Sequence, residues 1–262
     1  DAEGRPIDIV VIALPRISNF DDFDPLAREP GVRLRYASSV SALGRPDAVI
    51  LPGSKSTIAD LQWLQERGLA DAMRVLAGEG TAVVGICGGY QMLGHVIHDP
   101  QHTESALDSL SGLGLLPVET TFECEKATHR VQARVLGGPA WLLPLRGQHI
   151  HGYEIHMGQT TGDDNWLEIT ARSGHPVQVS DGSFSGDGCI WGCYLHGLFE
   201  NQGLRRAWLA SLGWRASQEY PSGGLSADFD RLADAVEGAL DMARIESLCG
   251  LRGGRSPEVH TP

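Results

Sequence analysis

No apolar run in this chain of 262 residues approaches the roughly 18 residues a membrane-spanning helix needs, and no secretory-leader pattern opens it. Positive charge is scarce: 21 lysines and arginines stand against 33 aspartates and glutamates, a net charge of -12. That balance argues against nucleic acid or an anionic membrane as a partner. The five cysteines, at 87, 124, 189, 193 and 249, are odd in number and lack disulfide-framework spacing, which fits a reducing compartment and an expected cytoplasmic location. Cys189 and Cys193 fall in a strand-like stretch, on one face but about 13 Å apart, too far to share a zinc ion. They read as core residues. No metal centre is expected from the histidines either: His95, His98 and His102 straddle the helix-breaking Asp99-Pro100, and His149 and His151 find no third ligand. No internal repeat is evident.

What is present is an alternation of short apolar runs and helical stretches, which points to an α/β fold with a mostly parallel central sheet flanked by helices. The runs Ile7 to Leu14, Val32 to Tyr36, Ala48 to Leu51 and Ala82 to Ile86 are the first four expected strands. Between the last two, Leu61, Leu64, Leu69, Met73 and Leu76 recur near helical spacing, with a break at Gly68. Strands are added in the second half, around Leu115 to Glu119, Val131 to Leu136 and Gly147 to His156, before a helix-rich end from Leu204 to Leu212 and Leu225 to Leu248.

The fourth run leads straight into Gly85-Ile86-Cys87-Gly88-Gly89 and then a helix start at Tyr90. A nucleophile flanked by small residues at a strand-to-helix junction sits on a sharp turn that lifts it towards solvent. The helix N-terminus beyond favours a thiolate and can hold a developing oxyanion. The bland reading is a small buried cysteine beside a tight turn, and the turn alone does not decide between the two.

The third run ends in Pro52-Gly53-Ser54-Lys55-Ser56-Thr57. Its spacing does not match a phosphate-binding loop, because Ser54 stands directly before Lys55, where a glycine is required. In a parallel sheet this turn shares the carboxyl edge with Cys87, so the N–H groups of Gly53 and Gly88 can face each other as a two-donor oxyanion hole. A cysteine nucleophile also needs a base. Among ten histidines, His196 ends the strand-like run Cys189 to Leu195 and precedes Gly197, so it too should project at a strand end.

Gly85-x-Cys87-x-Gly89-x-Gln91 resembles the nucleophile elbow of class I glutamine amidotransferases, where the resemblance makes Gln91 a candidate contact for substrate glutamine. PGSKSTIADL, GICGGYQMLG, GYEIHMG and YLHGLFEN, in that order, resemble the glutaminase domains of the cobyric acid synthase family. The resemblance runs from about Ile7 to Leu248 and implies a flavodoxin-like core. It implies that Cys87 attacks the glutamine amide carbon, that His196 is base and then acid, and that Gly53 and Gly88 hold the oxyanion. Ammonia then passes to an ATP-dependent synthetase domain that amidates side-chain carboxylates of a corrinoid.

One departure from the class stands out. Many members carry a glutamate two residues after the histidine, where this chain has Leu198. Glu154 and Glu200 are the candidate carboxylates to orient His196, and otherwise the site is a cysteine-histidine dyad. The expected organisation is a linker over 1–6 from an upstream synthetase domain, an amidotransferase domain over 7–250 and a disordered tail over 251–262. No cofactor is expected in this domain, while ATP and magnesium belong to the synthetase and the corrinoid binds elsewhere. Three alternatives remain: a related amidotransferase acting on cobyrinic acid or a cell-wall precursor, a cysteine hydrolase of esters or peptides, and a non-catalytic interaction domain.

Overall fold

The computed structural model describes residues 5–215 and 224–250. The strands, in chain order, are β1 (Ile7–Ile12), β2 (Val32–Ala37), β3 (Ala48–Leu51), β4 (Ala82–Ile86), β5 (Val96–His98), β6 (Ser109–Ser111), β7 (Glu119–Val135), β8 (His149–Thr161), β9 (Leu167–Arg172), β10 (His175–Asp181), β11 (Ser183–Phe184) and β12 (Ile190–Cys193). The α-helices are α1 (Asp24–Ala27), α2 (Val40–Leu43), α3 (Thr57–Glu66), α4 (Leu69–Gly78), α5 (Gly88–Leu93), α6 (Gln202–Ser211), α7 (Gly224–Ala239) and α8 (Met242–Leu248). Short 3-10 turns cover Phe20–Phe23, Ala140–Leu145 and Leu198–Glu200.

The first sheet has the order β11-β12-β4-β3-β1-β2, and every neighbouring pair except β11 with β12 is parallel. Its central strands β1, β3 and β4 are buried at every residue, as the continuous apolar runs IDIVVI, AVIL and AVVGI require of strands covered on both faces. Alternate side chains enter opposite layers: Ile9, Val11, Ile50 and Val84 pack in one apolar cluster, while Val10, Ile12, Val49 and Val83 pack in the other. The edge strand β2 alternates instead, and its Arg33 and Arg35 pair with the buried Asp8 of β1.

Helices α3 and α4 are separated at Gly68, whose φ of 68° is the left-handed conformation that glycine adopts without a Cβ penalty. The added strands form a second sheet, β10-β9-β7-β5-β6, with β8 also paired to β7. Here the strand expected over Leu115 to Glu119 is absent up to Val118, and the one expected over Val131 to Leu136 is the end of a longer strand that begins at Glu119. β7 runs unbroken from Glu119 to Val135, with a register irregularity between Thr121 and Lys126, and the polar stretch in its middle alternates as a half-exposed strand does. The helix that starts at the elbow stops at Leu93, well before Asp99-Pro100, and Val96–His98 is a strand.

Contacts divide the chain into two compact units, Asp1–Ala216 and Ser217–Pro262. Both sheets belong to the first unit, and α7 and α8 belong to the second. Most of the expected linker and all of the expected tail lie outside the described residues. Among the described residues, no helix is long and apolar enough to cross a membrane.

Candidate active site

Four adjacent strands, β12-β4-β3-β1, run parallel, so the loops at their carboxyl ends share one edge of the sheet. Each of these loops supplies one part of the site.

Cys87 follows β4 with φ 52° and ψ -112°, an unusual backbone conformation for a residue with a Cβ. Strain of this kind persists only where the surroundings over-determine it. The surroundings here are the glycines. A methyl group at Gly85 would lie 2.7 Å from both Tyr90 Cα and Leu93 Cδ1, and one at Gly89 would lie 1.8 Å from the carbonyl oxygen of Leu51. The elbow therefore packs backbone against backbone, and the Cys87 N–H donates to Cys193 of β12 at 2.9 Å. Gly89→Ala is expected to destabilise the fold by about 3 kcal/mol, the upper part of the range for overpacking. Its thermal midpoint should fall by about 6 to 12 °C on the scaling for a domain of this size, measured by differential scanning calorimetry.

Gly53, in the loop after β3, stands beside both reactive side chains: a Cβ there would sit 3.0 Å from His196 Cε1 and 3.7 Å from Cys87 Cβ. The same loop closes on the elbow, where a Cβ at Gly88 would lie 3.1 Å from the Ser54 nitrogen and from Thr57 Oγ1. Gly53 and Gly88 thus come together around Cys87. The loop is held from below by Asp60, fully buried on α3, which accepts from Ser54 Oγ at 2.6 Å and from the Arg16 guanidinium at 3.1 Å.

His196 follows β12 and is 1% exposed. An isolated antiparallel bridge to Tyr153 fixes its backbone, with both N–H···O bonds formed. The Tyr153 ring stacks on the imidazole with centroids 5.2 Å apart and planes 20° from parallel. Burial works against a charged ring, but the hydrogen bonds to Asp22 and Cys87 and the negative charge of both outweigh it and push the imidazole up to about 10. The Cys87 sulfur also lies 3.5 Å from the Ile155 carbonyl on the edge of β8.

The carboxylate on His196 is Asp22, in the 3-10 turn that follows β1. Its Oδ2 is 2.6 Å from Nδ1, and its Oδ1 accepts from the Gly197 N–H at 2.8 Å. Both carboxylate oxygens are thus committed to the histidine-bearing turn. Sequence reasoning missed this residue. Its signal was weak, since Asp21, Asp22 and Asp24 are equivalent in an acidic loop until the fold brings that loop against the turn that carries His196 and Gly197.

Neither expected orienting carboxylate reaches the ring. Tyr153 faces His196, so its neighbour Glu154 projects from the opposite face of β8, where its carboxylate lies 2.6 Å from Arg172 and 3.4 Å from His156. Burial there would raise Glu154, but His156 and Arg172 hold it below the usual carboxylate range. This group lines a polar cavity of about 530 Å³ together with Asp181 and Tyr194. Glu200 is exposed. Leu198 fails as a position for a carboxylate too: Gly197, at φ 68°, turns the chain into a 3-10 helix and drives Leu198 into the core.

Gln91 is brought close but is 2% exposed and committed elsewhere. Its amide nitrogen donates to the Met157 carbonyl at 3.0 Å and to Tyr194 Oη at 3.2 Å, and its oxygen accepts from Thr57 Oγ1 at 3.2 Å. It braces α5 against β8, the residue after β12 and the start of α3. No described cluster of three or more histidine, cysteine, aspartate or glutamate side chains is arranged to hold a metal ion.

A strained cysteine facing a buried histidine-aspartate pair at the carboxyl edge of a parallel sheet has the layout of a cysteine-nucleophile hydrolase. The fold is shared with PurLQS from Thermotoga maritima at a TM-score of 0.60 and 17% identity, over 79% of this chain and 99% of that one. It is shared also with a glutamine amidotransferase at a TM-score of 0.54 and 19% identity. The family described as the CobB/CobQ-like glutamine amidotransferase domain matches residues 8–204, and this chain belongs to that family. Cobyric acid synthase of Moorella thermoacetica is 47% identical over 253 residues, 94% of this chain and 49% of the relative. That of Desulforamulus reducens is 45% identical over 262 residues, 97% of this chain and 51% of the relative. The chain thus spans about half the length of these relatives.

Proposed function

We propose that this domain hydrolyses glutamine by a thioester mechanism and supplies the ammonia to a synthetase. Asp22 holds Nδ1 of His196, and Nε2 carries the proton given up by Cys87, so the reacting pair is imidazolium and thiolate. The sulfur then bonds to the glutamine amide carbon, and the oxyanion is held by the N–H groups of Gly53 and Gly88. As the carbon-nitrogen bond breaks, His196 returns the proton to the departing nitrogen and ammonia leaves. Water, deprotonated by the same imidazole, adds to the thioester, and sulfur departs with a proton to release glutamate. The observation that carries this reading is the Cys87–His196–Asp22 arrangement in a chain of this family.

The names of the relatives support the corrinoid acceptor of a cobyric acid synthase over cobyrinic acid or a cell-wall precursor, and their double length supports a synthetase domain in the same polypeptide. ATP and magnesium would be bound there, with the whole reaction in the cytoplasm. No step assigned to the present chain uses a cofactor.

The test is stoichiometric. Wild-type protein is expected to release ammonia and glutamate from glutamine one for one, with little turnover of simple esters, and a glutamine-analogue electrophile should label the Cys87 peptide and not that of Cys193. Ester turnover without glutamine turnover would overturn the glutaminase reading in favour of another hydrolase. Absence of both turnover and labelling would leave only a non-catalytic domain.

A further inference from the structure

The loop between β1 and the Phe20–Phe23 turn holds a second polar side chain against His196. Asn19 has φ 50° and ψ 48°, the left-handed region that asparagine tolerates better than most residues. Its amide nitrogen lies 3.1 Å from Nδ1 and 3.0 Å from Nε2 of the same imidazole. A group so nearly equidistant from both nitrogens cannot lie along the in-plane lone pair of either one. It lies over the face of the ring, an amide-on-π contact that leaves Nδ1 to Asp22 and Nε2 to Cys87.

We infer that Asn19 is a positioning residue for His196, a part that rests on the glutaminase reading above. The single bond from Asp22 fixes one atom of the imidazole and leaves the ring free to swing about it. The Asn19 amide and the stacked Tyr153 ring restrict that swing, so Nε2 stays aimed at the sulfur.

The amide is itself held on a firm support. Asp22 donates its N–H to the Asn19 carbonyl at 3.0 Å, Ser18 donates to the Gly53 carbonyl at 2.9 Å, and Lys55 donates to the Arg16 carbonyl at 2.9 Å. Ile17 and Ser54 form an antiparallel bridge. One segment, residues 16–22, is thereby tied to the oxyanion loop at one end and to the imidazole at the other. Asp22, Cys87 and Tyr153 are the titratable groups in direct contact with that ring.

Asn19→Gly separates positioning from a merely structural part, because glycine keeps the left-handed backbone at no steric cost and removes only the amide. The expected result is a thermal midpoint at or above that of wild type, a KM for glutamine within about 2-fold, and a kcat lowered about 10- to 100-fold, the scale of a misaimed reacting group. The Nδ1–H resonance of His196, sharp in wild type, should broaden as the ring begins to move. Asn19→Asp, which restores the shape, should recover part of kcat and move the alkaline limb of kcat/KM to higher pH, because a carboxylate over the ring favours its charged form. Wild-type kcat together with a sharp Nδ1–H resonance in Asn19→Gly would overturn the inference. Should wild type show no glutamine turnover at all, the glutaminase reading falls, and the resonance alone still decides whether Asn19 holds the ring.

Discussion

Cys87→Ala is expected to lower kcat for glutamine by about 10⁶-fold, the scale of losing a nucleophile, with secondary structure unchanged by circular dichroism. The expected effect is this large because, in the mechanism proposed, Gly53, Gly88 and His196 stabilise charge only as a bond to sulfur forms. Cys87→Gly gives the prediction a second, independent reading. The backbone at 87 sits at φ 52°, which costs a residue with a Cβ on the order of 1–3 kcal/mol. Glycine relieves that strain and returns about 0.5–1 kcal/mol of it as unfolded-chain entropy. The glycine variant should therefore be the more stable of the two inactive proteins, by about 1 kcal/mol in denaturant unfolding. An alanine variant that still releases ammonia at the wild-type rate would remove Cys87 from the mechanism.

Asp22→Asn should lower kcat by roughly 10²- to 10⁴-fold with little change in KM. An amide can offer Nδ1 a donor where the carboxylate accepts, and the ring then carries its proton on Nε2, facing the thiol from the wrong side of the exchange. The pH dependence follows from the same bond. His196 is raised from 6.5 to about 10 in the folded protein, so its contribution to stability is fully present below pH 6.5 and is lost as pH rises through about 10. The stability gap between wild type and Asp22→Asn should accordingly narrow between those two pH values, read as the difference in denaturant midpoints. Glu200→Gln, at an exposed site away from the ring, should leave kcat near wild type. A fall in Glu200→Gln as deep as that in Asp22→Asn would reassign the orienting carboxylate.

The parts legible in the sequence were those with a local cause. Apolar runs marked β1, β3, β4 and β12 to within a residue or two, since burial on both faces leaves little room for polar side chains, whereas the two-residue β11 was not foreseen. The glycines around Cys87 and Gly68 announced turns because close backbone approach or positive φ admits little else. Asp22 was not legible for a different reason: its partner is 174 residues away in the chain, and only the insertion of β12 beside β4 brings the two loops together. Glu200 was a candidate if the chain bent back after His196, and Glu154 by its place in GYEIHMG. The chain does turn left-handed at Gly197 but leaves Glu200 exposed, and Tyr153 takes the strand face that Glu154 would have needed. Gln91 was legible as a conspicuous residue at the right distance from Cys87, but its hydrogen bonds join four separate segments that the sequence does not show to be neighbours.

The strand that carries His196 enters the first sheet next to the strand that carries Cys87, yet the whole second sheet lies between them along the chain. Synthesis runs from Asp22 and Gly53 to Cys87, and then through more than a hundred residues before the imidazole exists. A nascent chain thus bears the thiol long before it bears His196, and in the mechanism proposed the elbow lacks its base until β12 has found its place. Under that mechanism the order of residues along the polypeptide acts as a safety catch, releasing hydrolytic power only when nearly all of the fold that contains it has been made.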